Sequence, residues 1–149
     1  MDRSRIMLLV VTLAMAALAG PDAVAAQERP YEEGSVWQIS FVRTAPGHYD
    51  DYLAELSRVW RRFNEEALAQ GHINSFKVLS SPRPTEDGWD LMLMVEYPNM
   101  AALDDTAERF DPIAQSIIGS LQEQGAATVE RATLRTIVGD RLARELIFR

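Results

Sequence analysis

The sequence predicts an α+β domain built on one antiparallel sheet with its helices on one face. Three observations predict this class. Residues 36–43 alternate apolar and polar side chains with the period of a β-strand. Residues 48–70 carry apolar side chains at spacings of three and four, which is typical of one long helix. Two more alternating segments, at residues 73–80 and 89–97, follow close together.

The first strand is predicted from Trp37, Ile39 and Phe41, which alternate with Gln38 and Ser40. Successive side chains of a strand point to opposite faces, so the three large residues share one face.

The long helix is predicted from a single apolar stripe. Asp50 and Asp51 lie near its start, where the helix dipole favours negative charge, and Gly71 can end it with a positive φ. The stripe consists of Tyr49, Tyr52, Leu53, Leu56, Val59, Trp60, Phe63 and Ala67.

The third strand is apolar on both faces at its middle. Leu91 and Leu93 share one face, while Met92 and Met94 share the other. A strand with this pattern is covered on both sides, so we expect a second layer of protein over the face that the helices leave open.

The remainder of the chain predicts helical pieces and then a last strand. Asn99 caps a helix that ends near residue 110, and Asp111 with Pro112 caps and begins another, which Gly125 interrupts. The last two predicted elements, a helical piece and a strand, span residues 127–137 and 141–148.

The predicted order is β-α-β-β-α-β, with an extra helical piece towards the C-terminus. This order is that of a split βαβ, or ferredoxin-like, unit. Its antiparallel sheet has helices on one face, and the other face would be exposed in a monomer. The order and the two-sided third strand together predict a homodimer.

The chain resembles the dimeric α+β barrel superfamily. The resemblance rests on residues 42–47, which read Val-Arg-Thr-Ala-Pro-Gly, on the helix that begins at His48, on the paired strands and on the strand at 141–148. It implies that two sheets pack across a two-fold axis and that each subunit holds a pocket between its sheet and helices. The superfamily includes antibiotic-biosynthesis-type monooxygenases, which use neither metal nor flavin, and stress-responsive barrels.

Residues 1–26 have the layout of a secretory signal peptide. Arg3 and Arg5 precede an uncharged run at residues 6–20, and small residues at 23–26 offer a cleavage site. The run is shorter than the roughly 20 residues of a membrane-spanning helix. The sequence therefore predicts a periplasmic or secreted protein with no membrane anchor after cleavage. Residues 27–35 are interpreted as a linker or N-terminal arm, and residues 36–149 as the barrel domain.

Composition limits the chemistry that we expect. The net charge of −7 disfavours nucleic acid as a partner, since nucleic acid is a polyanion. The chain has no cysteine, which excludes disulfides and thiolate catalysis. No nucleotide-binding or metal-binding motif is present in the sequence, so we expect neither a cofactor nor a metal.

Two residues are candidate catalytic groups. His48 and His72 are the only histidines, and they lie at opposite ends of the long helix. His48 is preferred because family members often place pocket residues near that helix start. Asp90 could act as an acid or base if it were buried; it cannot pair with Glu96, about 20 Å along the same strand. The alternative interpretation of both candidates is a solvated turn or strand end.

Six side chains are candidate ligand-binding residues, and the alternative interpretation of each is core or dimer packing. They are Trp37, Phe41, Trp60, Trp89, Met92 and Met94.

Three functions remain open on the sequence. The first is an exported protein that binds a small apolar or aromatic molecule. The second is a cofactor-independent monooxygenase or isomerase acting on an aromatic or polyketide-like substrate. The third is a non-catalytic stress-related or structural dimer module.

Overall fold

A computed structural model describes residues 29–81 and 88–149 of the chain. The predicted signal peptide at residues 1–26 lies outside the described residues. The described elements are β1 (Tyr31–Thr44), α1 (Tyr49–Glu55), a π-helical segment (Leu56–Trp60), α2 (Arg61–Ala69), β2 (Ser75–Ser80), β3 (Leu91–Tyr97), a 3₁₀ turn (Met100–Leu103), α3 (Thr106–Ile117), α4 (Leu121–Leu134) and β4 (Arg135–Phe148).

The four strands form one open antiparallel sheet in the order β2-β3-β1-β4. β1 lies in the interior of the sheet, where Val36 pairs with Tyr97 and Val42 with Leu91 of β3. On its other side β1 pairs with β4, with irregularities after Glu33 and between Phe41 and Val42. These pairings confirm the prediction of an α+β fold on an antiparallel sheet.

The first strand begins at Tyr31, five residues before the predicted start at residue 36. Residues 31–35 are therefore strand, although the sequence placed them in a linker. They pair with the far end of β4, where Tyr31 lies opposite Phe148. The register shift after Glu33 interrupts the alternation of side chains, so periodicity alone did not reveal this part of the strand.

The C-terminal helices differ from the prediction at three points. Asn99 caps a 3₁₀ turn, Met100–Leu103, and not a helix that runs to residue 110, since α3 begins separately at Thr106. α3 continues through Asp111 and Pro112 without a break, because Ile113 is buried and Phe110 packs on the core on either side of the proline. α4 begins at a capping box formed by Ser120 and Glu123 and continues through Gly125. Neither the helix restart at Pro112 nor the interruption at Gly125 occurs.

The last strand begins at Arg135, where the sequence predicted helix up to residue 137 and a strand only from residue 141. The first residues of β4 pair with the end of β1, so that Arg135 lies opposite Thr44 and Ile137 opposite Val42. This pairing between distant parts of the chain overrides the local helical pattern.

The two faces of the sheet have different surroundings. The covered face carries Val36 and Val42 of β1 and Leu91, Leu93 and Tyr97 of β3, all buried under the helices in two core clusters. The open face is defined by the side chains that alternate with these, namely Trp37, Ile39 and Phe41 of β1 with Met92 and Met94 of β3, and each remains partly exposed.

Candidate functional site

A cavity of about 300 Å³ lies between the covered face of the sheet and the helices. Its walls come from β1, β3, the junction of α4 with β4 and the long helix, which consists of α1, the π-helical segment and α2. Most of its lining is apolar. The lining residues are Ser40, Val42, Tyr52, Glu55, Leu56, Val59, Trp60, Phe63, Leu93, Ile118, Arg131, Arg135 and Ile137.

The π-helical segment forms one wall of this cavity. Leu56, Val59 and Trp60 all belong to the segment and all line the cavity. A π-helical turn has one more residue per hydrogen-bonded ring than an α-helical turn, so it changes which side chains face the sheet. Such turns in an otherwise α-helical rod are frequent at functional sites.

A buried carboxylate lies at the cavity wall and is held by two arginines. Glu55 is 8% exposed. It accepts a hydrogen bond from Arg58, which is three residues further along the helix, and its other oxygen lies 3.7 Å from the guanidinium of Arg131. Since both oxygens face a cation, the charge of Glu55 is compensated within the fold.

A second arginine of the cavity faces an aromatic ring. The guanidinium carbon of Arg135 lies 5.9 Å from the centroid of the Tyr52 ring. Burial raises the pKa of Tyr52, and the charge of Arg135 and its hydrogen bond to the tyrosine oppose that rise. Tyr52 therefore stays a neutral phenol at neutral pH.

A wider hollow of about 520 Å³ adjoins the cavity at Phe63, which lines both. Its other walls include Gln38, Tyr97, Phe110 and Leu142. The two spaces follow the same side of the sheet, over the strands β1 and β4.

One of the six predicted ligand-binding residues, Trp60, lines the cavity. The structure places the other five on the opposite side of the sheet. Trp37, Phe41, Met92 and Met94 belong to the open face, and the ring of Trp89 lies 5.5 Å from that of Phe41. The sequence grouped these residues by chemistry, whereas the pleat of the strands separates them from the cavity.

The two predicted catalytic residues lie outside the cavity lining as well. The Nδ1 atom of His48 is 2.9 Å from a carboxylate oxygen of Asp51, and the side chain is 47% exposed. Asp90 accepts hydrogen bonds from the backbone N–H of Thr44, at 3.1 Å to each carboxylate oxygen, and from the Thr44 hydroxyl. This arrangement ties the start of β3 to the end of β1.

The sequence interpretation missed the polar residues of the cavity. A signal for Glu55 was present, because this carboxylate falls between Tyr52 and Leu56 inside the apolar stripe of the long helix. Arg131 and Arg135 are spaced four apart, but nothing in their sequence neighbourhood indicates Glu55 or Tyr52 as neighbours. Their approach depends on the packing of α4 against α1.

No family model, curated protein or solved structure matches this chain. Among the described residues no group of three or more histidines and carboxylates is placed to hold a metal ion. No helix in residues 29–81 and 88–149 is both long and apolar enough to cross a membrane.

Proposed function

We propose that this chain is an exported, homodimeric protein of ferredoxin-like fold that binds a small apolar or aromatic molecule between its sheet and its helices. The observation that carries the proposal is the cavity bounded by β1, β3 and the π-helical segment. Its volume of about 300 Å³ is at the lower end of the range for small-molecule sites, and its lining is mainly apolar with a few polar groups.

The strand order supports the ferredoxin-like part of the proposal. In a split βαβ unit the two strands that precede the helices are neighbours at the centre of the sheet. β1 and β3 hold those places here, with β2 and β4 at the edges. The proposed likeness to dimeric α+β barrels rests on this order and on the residues given for the resemblance.

The open face and the edge strand β4 support a second copy as the partner. β4 is 14 residues long and carries six exposed large apolar side chains, although long apolar edges are usually protected in soluble proteins. The six are Ile137, Val138, Leu142, Leu146, Ile147 and Phe148.

The sequence of β4 is self-complementary in an antiparallel pairing about Leu142. That register sets Asp140 opposite Arg144 of the partner subunit, and Val138 opposite Leu146 of the partner subunit. Opposite charges and matched apolar residues across a strand pair are both stabilising. Two four-stranded sheets joined at this edge supply eight strands, the number that closes a small barrel with a filled interior.

The geometry favours binding over the oxygenase or isomerase alternative. A general base has to lie within hydrogen-bond reach of the proton it removes. His48 contacts the carboxylate of Asp51 at the helix start, and the carboxylate of Asp90 accepts a hydrogen bond from the Thr44 hydroxyl at a strand end. Neither residue lines the cavity.

The binding proposal is tested by titrating the chain from residue 27 with 2-naphthalenemethanol, a neutral bicyclic probe, and recording amide and indole chemical shifts. We expect saturable shifts at Val42, Leu93 and the indole of Trp60. Val59→Phe fills the cavity from the half-buried wall, so it should weaken binding by about tenfold or more. Val129→Phe makes the same exchange at an exposed position of α4 and should leave binding unchanged.

Three outcomes would contradict the proposed site. Saturable changes in chemical shift that are confined to the wider hollow, around Gln38 and Leu142, would place the binding site there. Binding to the open face would give shifts at Trp37 and Met94 instead. A chain that binds no apolar probe would favour the structural or stress-related module.

Native mass spectrometry of the protein from a periplasmic fraction tests export and dimerisation together. We expect twice the mass of a chain that begins at residue 27, together with any retained ligand. A full-length chain found only in the cytoplasm would contradict export, and a monomer at micromolar concentration would contradict the dimer.

A further inference from the structure

Arg135 is the one guanidinium in the described cavity lining without a carboxylate partner. Arg131, the other arginine of the cavity, is paired with Glu55 and donates a hydrogen bond to Thr128. Arg135 makes no ion pair with any described residue, and its Nε atom is buried without a hydrogen-bond acceptor. Its contact with Tyr52 is to a neutral phenol.

A second buried Nε atom, that of Arg109, shows what distinguishes Arg135. Arg109 also leaves its Nε without an acceptor, but its terminal nitrogen donates to the backbone carbonyls of Ala102 and Asp104. Those hydrogen bonds connect α3 to the 3₁₀ turn and its end. Arg109 lines neither the cavity nor the wider hollow. Arg135 lines the cavity, so part of its side chain borders the space that a ligand would occupy.

The charged side chains of the described cavity lining leave one positive charge in excess. The lining holds one carboxylate, Glu55, and two guanidiniums, Arg131 and Arg135, whereas Arg58, which also bonds Glu55, lies outside the lining and is 66% exposed. Asp140 lies further along β4 and accepts a hydrogen bond from Ser40 at the rim, and its side chain is exposed to solvent. Arg135 is partly exposed and its buried Nε lacks an acceptor, so an anion bound at the accessible part of this guanidinium would stabilise it.

We infer that the cavity takes a small aromatic or alicyclic monocarboxylate, with its carboxylate on Arg135 and its ring against Leu56, Trp60 and Leu93. This inference rests on the proposed function and names the class of ligand. The planar fork of a guanidinium matches the two oxygens of a carboxylate. One uncompensated charge suits a monoanion, whereas a phosphate monoester carries nearly two charges at neutral pH. The volume of about 300 Å³ limits the ring system to one or two rings.

Two probes of nearly the same shape test the inference, 2-naphthoate and 2-naphthalenemethanol, titrated calorimetrically into the chain from residue 27. We expect 2-naphthoate to bind at least about tenfold more tightly, since hydrogen bonds to charged groups contribute more than neutral ones. Arg135→Met should remove this preference, so that the two probes bind the variant within about twofold of each other. Arg62→Met makes the same exchange on the exposed side of α2 and should leave the affinity for both probes unchanged.

The outcomes separate this inference from the proposed function. If both probes bind the unmodified chain equally, the carboxylate inference is wrong and the apolar site remains. If Arg135→Met keeps the preference for 2-naphthoate, the anion lies elsewhere and the inference is also wrong. If neither probe binds, both proposals fail. Should Arg135→Met not fold, the comparison of the two probes on the unmodified chain decides, together with Arg135→Lys, which keeps the charge and should keep part of the preference.

Discussion

The two faces of the sheet are built from the same strands but differ in what covers them. On β3, Leu91 is fully buried under the helices and Leu93 is 9% exposed, while Met92 and Met94 between them stay partly exposed on the open face. β1 repeats the pattern, with Val36 and Val42 buried and Trp37 and Phe41 partly exposed. On β3 both faces are apolar, so the sequence of this strand alone does not distinguish the face that the chain covers itself from the face that needs a partner.

The difference also explains where the cavity lies. The covered face bears polar Gln38 and Ser40 between Val36 and Val42. Ser40 lines the cavity and Gln38 lines the adjoining hollow. The open face is instead filled by large aromatic and methionine side chains, which favour packing against another surface.

The largest expected effect is from cavity creation on the covered face. Leu91→Ala removes a fully buried side chain and should lower the free energy of unfolding by about 2–5 kcal/mol at every protein concentration. Met94→Ala on the open face of the same strand should cost less, and its cost should grow with the dimer fraction. Urea denaturation at several protein concentrations measures both. Equal, concentration-independent losses would show that nothing covers the open face.

A charge placed on the open face should separate the two subunits while each keeps its fold. Phe41→Glu puts a carboxylate at the centre of this face, where burial against a second copy would leave it unpaired. We expect the dimer dissociation constant to rise by about two orders of magnitude or more, measured by sedimentation equilibrium. Val129→Glu, on the exposed side of α4, is the control and should leave the constant unchanged. A Phe41→Glu variant that still dimerises as tightly would place the interface elsewhere.

The regular pattern of the sequence located most of the fold. The alternation of β1 and β3 and the long apolar stripe of the first helix are local signals, and the structure has a strand or helix at each. Local signals failed where distant pairing decides the outcome. Residues 31–35 and 135–137 become strand because the two ends of β1 and β4 meet, and Pro112 stays in a helix because Ile113 is buried in the core.

The candidate site was less predictable for the same reason. Trp60 could be chosen from its place in the apolar stripe, and it does line the cavity. The other aromatic candidates have the same chemistry, but strand register puts them on the open face. Arg131 and Arg135 reach Glu55 and Tyr52 through the packing of α4 and β4 against α1, and these pairs are 76 and 83 residues apart in the sequence.

A smaller effect is expected from the hydroxyl of Tyr52 on the covered face. Tyr52→Phe removes the hydrogen bond to Arg135 and should cost about 0.5–1.5 kcal/mol at pH 7. Burial raises the pKa of Tyr52 above 10.0, so the folded state favours the neutral phenol. Stability should therefore fall as the pH rises past 10, and it should fall less steeply in Tyr52→Phe. Urea midpoints between pH 7 and pH 11 measure this; parallel curves for the two proteins would contradict it.

The smallest expected effect comes from Glu96 at the margin of the open face. The Ser75 hydroxyl donates a hydrogen bond of 2.5 Å to this carboxylate from the neighbouring strand β2, and this bond lowers the pKa of Glu96 below 4.5. A lowered pKa means that the folded state favours the ionised form, so the stabilisation is present above pH 4.5 and is lost as the pH falls through the folded-state pKa. Glu96→Gln should flatten the decline of the urea midpoint below pH 4.5, whereas Glu65→Gln on the exposed side of α2 should not. If the urea midpoint of Glu96→Gln declines below pH 4.5 as steeply as that of the unmodified chain, the hydrogen bond from Ser75 to Glu96 does not persist in solution. The open face would then lack this hydrogen bond between β2 and β3.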